Sequence, residues 1–324
     1  MKKILASNWI PDECKEGYDF TIDCPTFEKF MYQDDELPEL VKDYDGLMIM
    51  KNTCRKVVLD AGDRLQVVAT TSVGFDNVDH EYAKEKGIFV CHCPKHIIEP
   101  TAEFAFTLTC TLSRNIRQWD TIVRRDKECA AKFFDTVSVE LYGKTVGVVG
   151  FGRIGRAYAR RAKAFGMKVL YWDMIQYPEE VEKEFDAQWV DLDTLLKTAD
   201  VVSLHVPLFE NTRHLIAERE LALMKKDAIL INCARGAVVK ESALVDALNN
   251  DMIRGAAIDV FENEPNVSDA VLSCKNLILT PHVGPGTRGV QIAVVREALD
   301  GVQAVFNGEV PSNAVHKDVI PRTF

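Results

Sequence analysis

Apolar positions along the chain fall into two rhythms. Short runs rich in β-branched residues stand at 3–6, 47–50, 65–69 and 88–91, and again at 145–149, 168–172, 201–205, 228–233, 256–260 and 277–279. Their length and composition predict buried strands. Between them, apolar residues recur every three to four positions, at 37–42, 55–61 and 79–85, then at 154–165, 192–197, 219–225 and 241–249. That spacing places one apolar face on a helix. Strand and helix alternate through most of the chain, the pattern of parallel sheets joined by helical crossovers. A long apolar helix is predicted from Thr101 to about Gln118, with Ala102, Phe104, Ala105, Leu108 and Leu112 inside. Its length suits a connector between domains. The more polar 120–141 reads as loop with some helix.

One junction between the rhythms is unusual. The strand Thr145-Val146-Gly147-Val148-Val149 runs into Gly150-Phe151-Gly152-Arg153-Ile154-Gly155, and Ile154, Ala157, Tyr158, Ala162 and Phe165 then share a helical face. In a strand–turn–helix of this kind Gly150 permits the tight turn and Gly152 lets backbone approach a pyrophosphate. Gly155 lets helix and strand pack closely. The free N–H groups at the helix start face the phosphates. The next strand, 168–172, ends at Asp173, close to the roughly 20-residue offset expected of an acid that binds the adenosine ribose. A carboxylate there accepts from both ribose hydroxyls and repels a 2′-phosphate, so NAD is expected rather than NADP. The expected fold is α/β: a doubly wound parallel sheet (Rossmann) cofactor domain plus a smaller flavodoxin-like α/β substrate domain.

Composition narrows the class without changing it. A chain of 324 residues is too long for one compact core. No apolar run approaches the ~20 residues of a membrane span, and Pro11, Asp12 and Glu13 interrupt the N-terminus too early for a signal peptide. A net charge of -10 argues against nucleic acid as a main partner. Nine cysteines at irregular spacing suit reduced thiols in the cytoplasm better than a disulfide framework.

In doubly wound sheets ligands lie beyond the carboxyl ends of the strands. Three strand ends there carry Asn232-Cys233-Ala234-Arg235-Gly236, Asp259 followed by Glu262 and Glu264, and Thr280-Pro281-His282-Val283-Gly284. Singly, Arg235 could pair with a surface acid, Glu264 could be a solvated loop residue and His282 could cap the next helix. Together, beyond a dinucleotide turn, they suit hydride transfer to a 2-oxo acid. His282 supplies the proton that the ketone oxygen needs. Glu264 beside it favours the charged imidazole. Arg235 grips the substrate carboxylate through two hydrogen bonds. Asp259 is open to two roles, one on the nicotinamide carboxamide and one in the strand end itself. His205 reads as a strand-end residue near the cofactor, and His80, His214 and His316 are expected at the surface. The polar loop 70–77 reads equally as a backbone anion site and as a plain turn. Cys91, His92 and Cys93 invite a zinc reading, but strand alternation turns His92 away from the two thiols and no second cluster follows. No metal is therefore expected.

These residues together resemble the D-isomer-specific 2-hydroxyacid dehydrogenases. The resemblance rests on Ser72-Val73-Gly74-Phe75-Asp76-Asn77-Val78-Asp79, Pro100-Thr101-Ala102-Glu103, the glycine turn at 150–155, Asn232-Cys233-Ala234-Arg235-Gly236 and Thr280-Pro281-His282-Val283-Gly284. It implies that Arg235, Glu264 and His282 are catalytic and that Ser72, Val73 and Gly74 offer backbone amides to the substrate carboxylate. It implies cofactor contacts at Thr101, Gly150, Gly152, Arg153, Ile154, Gly155, Asp173, Val206, Pro207, Cys233, Ala234, Asp259, His282 and Gly284. Residues 1–100 and 297–324 are expected to form the substrate domain and 101–296 the dinucleotide domain, with the site in the cleft between them and a homodimer through the cofactor domain.

Departures from family patterns narrow the substrate. Thr71, His96 and Gly284-Pro285 stand where D-lactate enzymes tend to have Arg, Tyr and an aromatic pair. Met50 and Thr70 stand where phosphoglycerate enzymes place Arg. Glu264 replaces the Gln of formate enzymes, and Ser72 or Val73 the Lys of phosphite enzymes. What remains resembles the glyoxylate and hydroxypyruvate reductases, many of which prefer NADPH. A second reading is an NAD-sensing corepressor on the same fold.

Overall fold

A computed structural model describes residues 1–127 and 138–322. The elements in chain order are β1 (Lys3–Ala6), β2 (Thr21–Asp23), α1 (Leu37–Leu40), β3 (Gly46–Ile49), α2 (Lys56–Ala61), β4 (Val67–Thr70), α3 (His80–Glu85), β5 (Phe89–Cys91), α4 (Ile98–Ser113), α5 (Ile116–Asp126), β6 (Thr145–Val149), α6 (Arg153–Ala164), β7 (Lys168–Trp172), α7 (Glu179–Phe185), β8 (Ala187–Trp189), α8 (Leu192–Thr198), β9 (Val201–Leu204), α9 (Glu218–Leu223), β10 (Ile229–Asn232), α10 (Glu241–Asn249), β11 (Gly255–Ile258), α11 (Asp269–Leu272), β12 (Leu277–Leu279) and α12 (Arg288–Phe306).

The chain divides into two compact units, Met1–Ile97 with Gly286–Phe324, and Ile98–Pro285. In the first, five parallel strands run in the order β2-β1-β3-β4-β5. Successive side chains of a strand face opposite ways, so the sheet buries two cores. Ile4, Ala6, Met48, Val67, Ala69 and Phe89 meet Val294, Val295, Ala298, Leu299 and Val302 of α12 on one face. Leu5, Leu47, Ile49, Val68 and Val90 meet Leu37, Val58, Leu59 and Ala83 on the other. The expected division at residue 297 would cut through α12. The whole helix lies in the first unit because its apolar face packs on that unit's sheet.

The second unit is a seven-stranded parallel sheet in the order β12-β11-β10-β9-β6-β7-β8, reversing direction of growth at β6 as a doubly wound sheet does. One face packs on Leu195, Leu196, Leu221, Leu244 and Leu248 from α8, α9 and α10. The other packs on Ala102, Ala105, Leu108 and Leu112 of α4 and Ala157, Tyr158 and Ala162 of α6. The stretch predicted as one connector helix is thus chiefly a packing helix of this unit. It also ends earlier than predicted: Asn115 adopts a left-handed conformation, φ 51, which Asn tolerates better than most residues, and α5 begins beyond it. The segment 120–141, expected as loop with some helix, contains the end of α5, and 128–137 lie outside the described residues. The edge strands β2 and β8, which carry polar Thr21, Asp23 and Gln188 in place of an apolar run, were not predicted.

Candidate active site

The glycine turn is a backbone device. Gly150 has φ +93, a region that side chains disfavour. A Cβ on it would also lie 2.8 Å from Val206 Cγ1. A Cβ on Gly155 would lie 2.0 Å from the Gly150 carbonyl oxygen, so helix and strand approach as closely as glycine permits. A Cβ on Gly152 would meet nothing within 4 Å. Open space there, at a helix start whose N-cap Gly152 supplies no side-chain hydrogen bond, leaves donors for an anion. Arg153 and Ile154 begin that helix, Arg153 exposed and Ile154 half-buried.

Asp173, at the end of β7, accepts from the Phe151 N–H at 2.7 Å through Oδ2 and from the Met174 N–H at 2.7 Å through Oδ1. It thereby ties the β7 end to the turn. A carboxylate has about four acceptor positions, so two such bonds leave room for ribose hydroxyls. The donors, the gap at Gly152 and this acid fit a dinucleotide.

His205 N–H continues the sheet by donating to Val149 O at 2.7 Å. Its ring lies beside Tyr158 and 2.9 Å from Ser203 Oγ, and burial pushes its pKa down to about 3. It stands just beyond the end of β9, the strand-end position that the sequence suggested. Val206 is buried. Pro207 is exposed, with its carbonyl accepting from Thr212 Oγ1 at 2.6 Å.

The strand ends beyond β10, β11 and β12 meet through their loops. Asn232 braces the first by accepting from Ala234 N–H and donating to Arg235 O, each at 3.0 Å. Gly236 then passes so close to the second that a Cβ would lie 1.9 Å from Phe261 O. Glycine is required there by proximity, and the contact sets Arg235 against the 261–264 loop. Cys233 and Ala234 are half-buried, and burial pushes the Cys233 thiol up.

Glu264 Oε1 accepts from Phe261 N–H at 2.9 Å, and Oε2 lies 2.8 Å from His282 Nδ1. The carboxylate therefore selects the proton on Nδ1 and leaves Nε2 to the solvent side of the pair. Both side chains are about one-third exposed, 34% and 35%, enough for a small substrate to reach the ring. His282 itself has φ 55, and the loop holding it in this conformation is organised by Asp259. That carboxylate, 1% exposed, accepts from Thr280 Oγ1 at 2.5 Å, Val283 N–H at 3.0 Å and Gly284 N–H at 2.8 Å. Of the two roles open to Asp259, the geometry displays the structural one. A Cβ on Gly284 would touch Asp259 Oδ2 at 3.3 Å and Thr101 Cγ2 at 3.6 Å, so Thr101, Asp259 and Gly284 share one corner.

Ser72, Val73 and Gly74 belong to the first unit. Ser72 O accepts from Cys93 N–H at 2.8 Å, Val73 O lies 2.8 Å from His92 Nδ1, and Gly74 O accepts from Ser72 Oγ. All three carbonyls are thus engaged, while the Val73 and Gly74 N–H groups have no acceptor among the described residues. An anion site of this kind would use those two N–H groups.

Two pairings escaped the sequence. His214 Nε2 lies 2.5 Å from Glu262 Oε1. Although burial works the other way, the Glu241 N–H and His214 hold the Glu262 carboxyl below its ordinary range. His80 Nδ1 and His316 Nε2 lie 2.9 Å apart, across 236 residues of chain, a contact no local pattern could reveal.

The family model described as "D-isomer specific 2-hydroxyacid dehydrogenase, NAD binding domain" matches residues 106–284. The chain belongs to that dehydrogenase family. It is 41% identical over 88% of its length, and 87% of the other's, to a protein named glyoxylate reductase from Thermococcus litoralis. Among solved structures it resembles D-lactate dehydrogenase from Aquifex aeolicus complexed with NAD and lactic acid, with a TM-score of 0.83 at 31% identity over 99% of this chain and 100% of that one. It also resembles the NADPH-dependent glyoxylate/hydroxypyruvate reductase from Sinorhizobium meliloti, with a TM-score of 0.86 at 29% identity over 100% and 99%. The dehydrogenase is an NAD-dependent oxidoreductase that interconverts a small 2-oxo acid and its D-2-hydroxy acid. The corepressor reading is not favoured. Among the described residues no helix is long and apolar enough to cross a membrane.

Proposed function

We propose that the enzyme reduces glyoxylate or hydroxypyruvate, with Arg235, Glu264 and His282 as its catalytic residues. The observation that carries this reading is the 2.8 Å contact between His282 Nδ1 and Glu264 Oε2 on loops at adjacent strand ends. When bound, NADH supplies the hydride to the carbonyl carbon. His282 gives its Nε2 proton to the carbonyl oxygen, and in the reverse direction takes the hydroxyl proton at the same nitrogen. Glu264 acts through His282, fixing its tautomer and balancing the positive charge of the protonated ring. Arg235 holds the substrate carboxylate and steadies the oxygen as charge develops on it. The N–H groups of Val73 and Gly74, with Ser72 shaping their loop, contribute further donors to the carboxylate.

The glycine turn, Arg153, Ile154, Asp173, Val206, Pro207, Thr101, Cys233, Ala234, Asp259, His282 and Gly284 are the proposed cofactor contacts. Asp173 makes NADH the preferred form: a 2′-phosphate would face a carboxylate, and exposed Met174, Ile175 and Gln176 follow it with no cation to neutralise the phosphate. The substrate preference rests on the glyoxylate reductases among the relatives and on the lack of Arg at Met50, Thr70 and Thr71.

The decisive experiment follows NADH oxidation with glyoxylate, hydroxypyruvate, pyruvate, longer 2-oxo acids and phosphite-coupled NAD reduction. The first two should give the highest kcat/KM. Higher values for pyruvate or a longer acid would refute the substrate assignment.

We also infer a cytoplasmic homodimer. Buried Cys54 and Cys91, whose pKa values burial pushes up to about 12, are inert as thiols. Eight described cysteines are free. Helix α5 buries none of its residues and exposes Ile116 and Val123, as a surface waiting for a second copy would. A monomer by sedimentation at micromolar concentration, or disulfide-bonded protein recovered from cells, would refute these two assignments.

A further inference from the structure

His80, Glu81 and His316 form a cluster to which the proposed reaction assigns no role. His80 Nδ1 lies 2.9 Å from His316 Nε2, and Glu81 Oε1 lies 3.7 Å from the first nitrogen and 3.4 Å from the second. Zinc–nitrogen and zinc–oxygen bonds of about 2.0–2.2 Å place two ligands of a tetrahedral ion about 3.3 Å apart. The three measured separations bracket that edge. We propose that this triangle binds a divalent transition metal of the zinc class, with water completing the coordination.

The ligands are held from two directions. His80 opens α3, its N–H donating to Val78 O at 2.8 Å and its ring meeting the Phe75 ring edge-on at 5.0 Å. His316 lies on the C-terminal segment, which is fastened beside it by Val315 N–H to Val90 O at 2.8 Å and by Lys84 to Asp318 at 2.6 Å. Both imidazoles are thus placed by backbone that other contacts already fix. The Glu81 side chain is 70% exposed, free to rotate onto an ion. It also leaves an open approach for one.

Without metal, one proton shared between the two ring nitrogens accounts for their contact. With metal, each ring directs a lone pair at the ion and carries its proton on its other nitrogen, so no net proton need leave the rings. Two imidazoles and one carboxylate suit zinc, cobalt, nickel or copper, and not magnesium or calcium, which take oxygen ligands. The bound ion would clip the C-terminal segment to α3, closing a loop of more than two hundred residues, the geometry in which a cross-link restricts the unfolded chain most.

The test is a titration of chelator-treated full-length protein with cobalt(II), read by visible absorbance, with zinc as competitor. The expected result is one tetrahedral cobalt site per chain without thiolate charge transfer, displaced by zinc, together with a rise of several degrees in melting temperature at saturating zinc. Glu81→Gln, at an exposed position, should weaken binding by about tenfold or more, and His316→Ala should abolish it. Circular dichroism of the metal-free variants should match the parent. Absence of a stoichiometric cobalt spectrum would overturn the proposal. So would thiolate bands, or binding unchanged in Glu81→Gln, because the ion would then sit on cysteines or elsewhere.

Discussion

The turn at 150–155 and the loops carrying Arg235, Glu264 and His282 lie in one unit and, in the proposed function, serve one reaction, yet they are built oppositely. In the turn the working groups are backbone N–H donors, and the side chains contribute by being absent: Gly155 packs where a Cβ would stand 2.0 Å from a carbonyl oxygen. In the loops the working groups are side chains, half exposed and supported from behind by Asn232, Phe261 N–H and Asp259. The first region should therefore tolerate no added atom at Gly150 or Gly155. The second should tolerate loss of its functional groups without loss of fold. That asymmetry can be tested by substitution.

The largest expected effect is at His282. His282→Ala removes the proposed proton donor and should lower kcat by about 100- to 10,000-fold, while loss of its one cofactor contact weakens NAD binding only slightly by fluorescence titration and the melting temperature stays near the parent value. A variant that loses NAD binding as well would show that the loops are not separable from the turn. Next is Arg235→Lys, which keeps the charge and loses the two-pronged grip. A lost charge-assisted hydrogen bond of about 1.5–3 kcal/mol corresponds to a KM for the oxo acid raised roughly 10- to 150-fold, with KM for NADH unchanged.

Gly155→Ala reverses the pattern. One methyl should cost about 1–3 kcal/mol of stability through overpacking and weaken NAD binding more than substrate binding, measured by chemical denaturation and titration. Normal stability with normal NAD affinity would break the comparison. Asp173→Ala probes the side chain that ties the end of β7 to the turn. It removes the repulsion of a 2′-phosphate and should move the NADH-to-NADPH kcat/KM ratio roughly tenfold towards NADPH. The side chain also braces Phe151, so a modest fall in stability should accompany it.

The smallest effect concerns His205, behind the turn. Its folded pKa is depressed by burial to about 3, below the ordinary imidazole value of about 6.5. As pH falls between these values the unfolded chain binds a proton that the folded chain refuses. Stability is therefore complete above about pH 6.5 and declines towards pH 3, with a limiting slope of about 1.4 kcal/mol per pH unit from this group. His205→Gln should flatten that part of the stability profile, measured by urea denaturation across the range.

The turn was legible because its information is local. Strand, glycines, helix and Asp173 fall within 29 consecutive residues, 145–173, and each has a spacing that its role imposes. The strand-end trio was legible only as candidates. Their periodicity placed them at strand ends, but the contact of Glu264 with His282 spans separate loops. Asp259 showed a similar limit: its position at a strand end was readable, but its three bonds to the 280–284 loop were not. The break at Asn115 came from one left-handed residue that no period marks, and the assignment of α12 depended on its packing against the first sheet.

What the amino-acid order alone determined is the alternation of strands and helices, the site at 150–155 and the residue types available for proton transfer and carboxylate binding. These follow from short-range sterics, hydrophobic period and side-chain chemistry. Only the tertiary structure decided that Glu262 meets His214 and that His316 joins His80 and Glu81, and only it turned the candidate pairing of Glu264 with His282 into a contact. Such pairings depend on how loops from separate strands and a distant C-terminal segment are carried together by the burial of their apolar neighbours, and no spacing along the chain encodes that proximity.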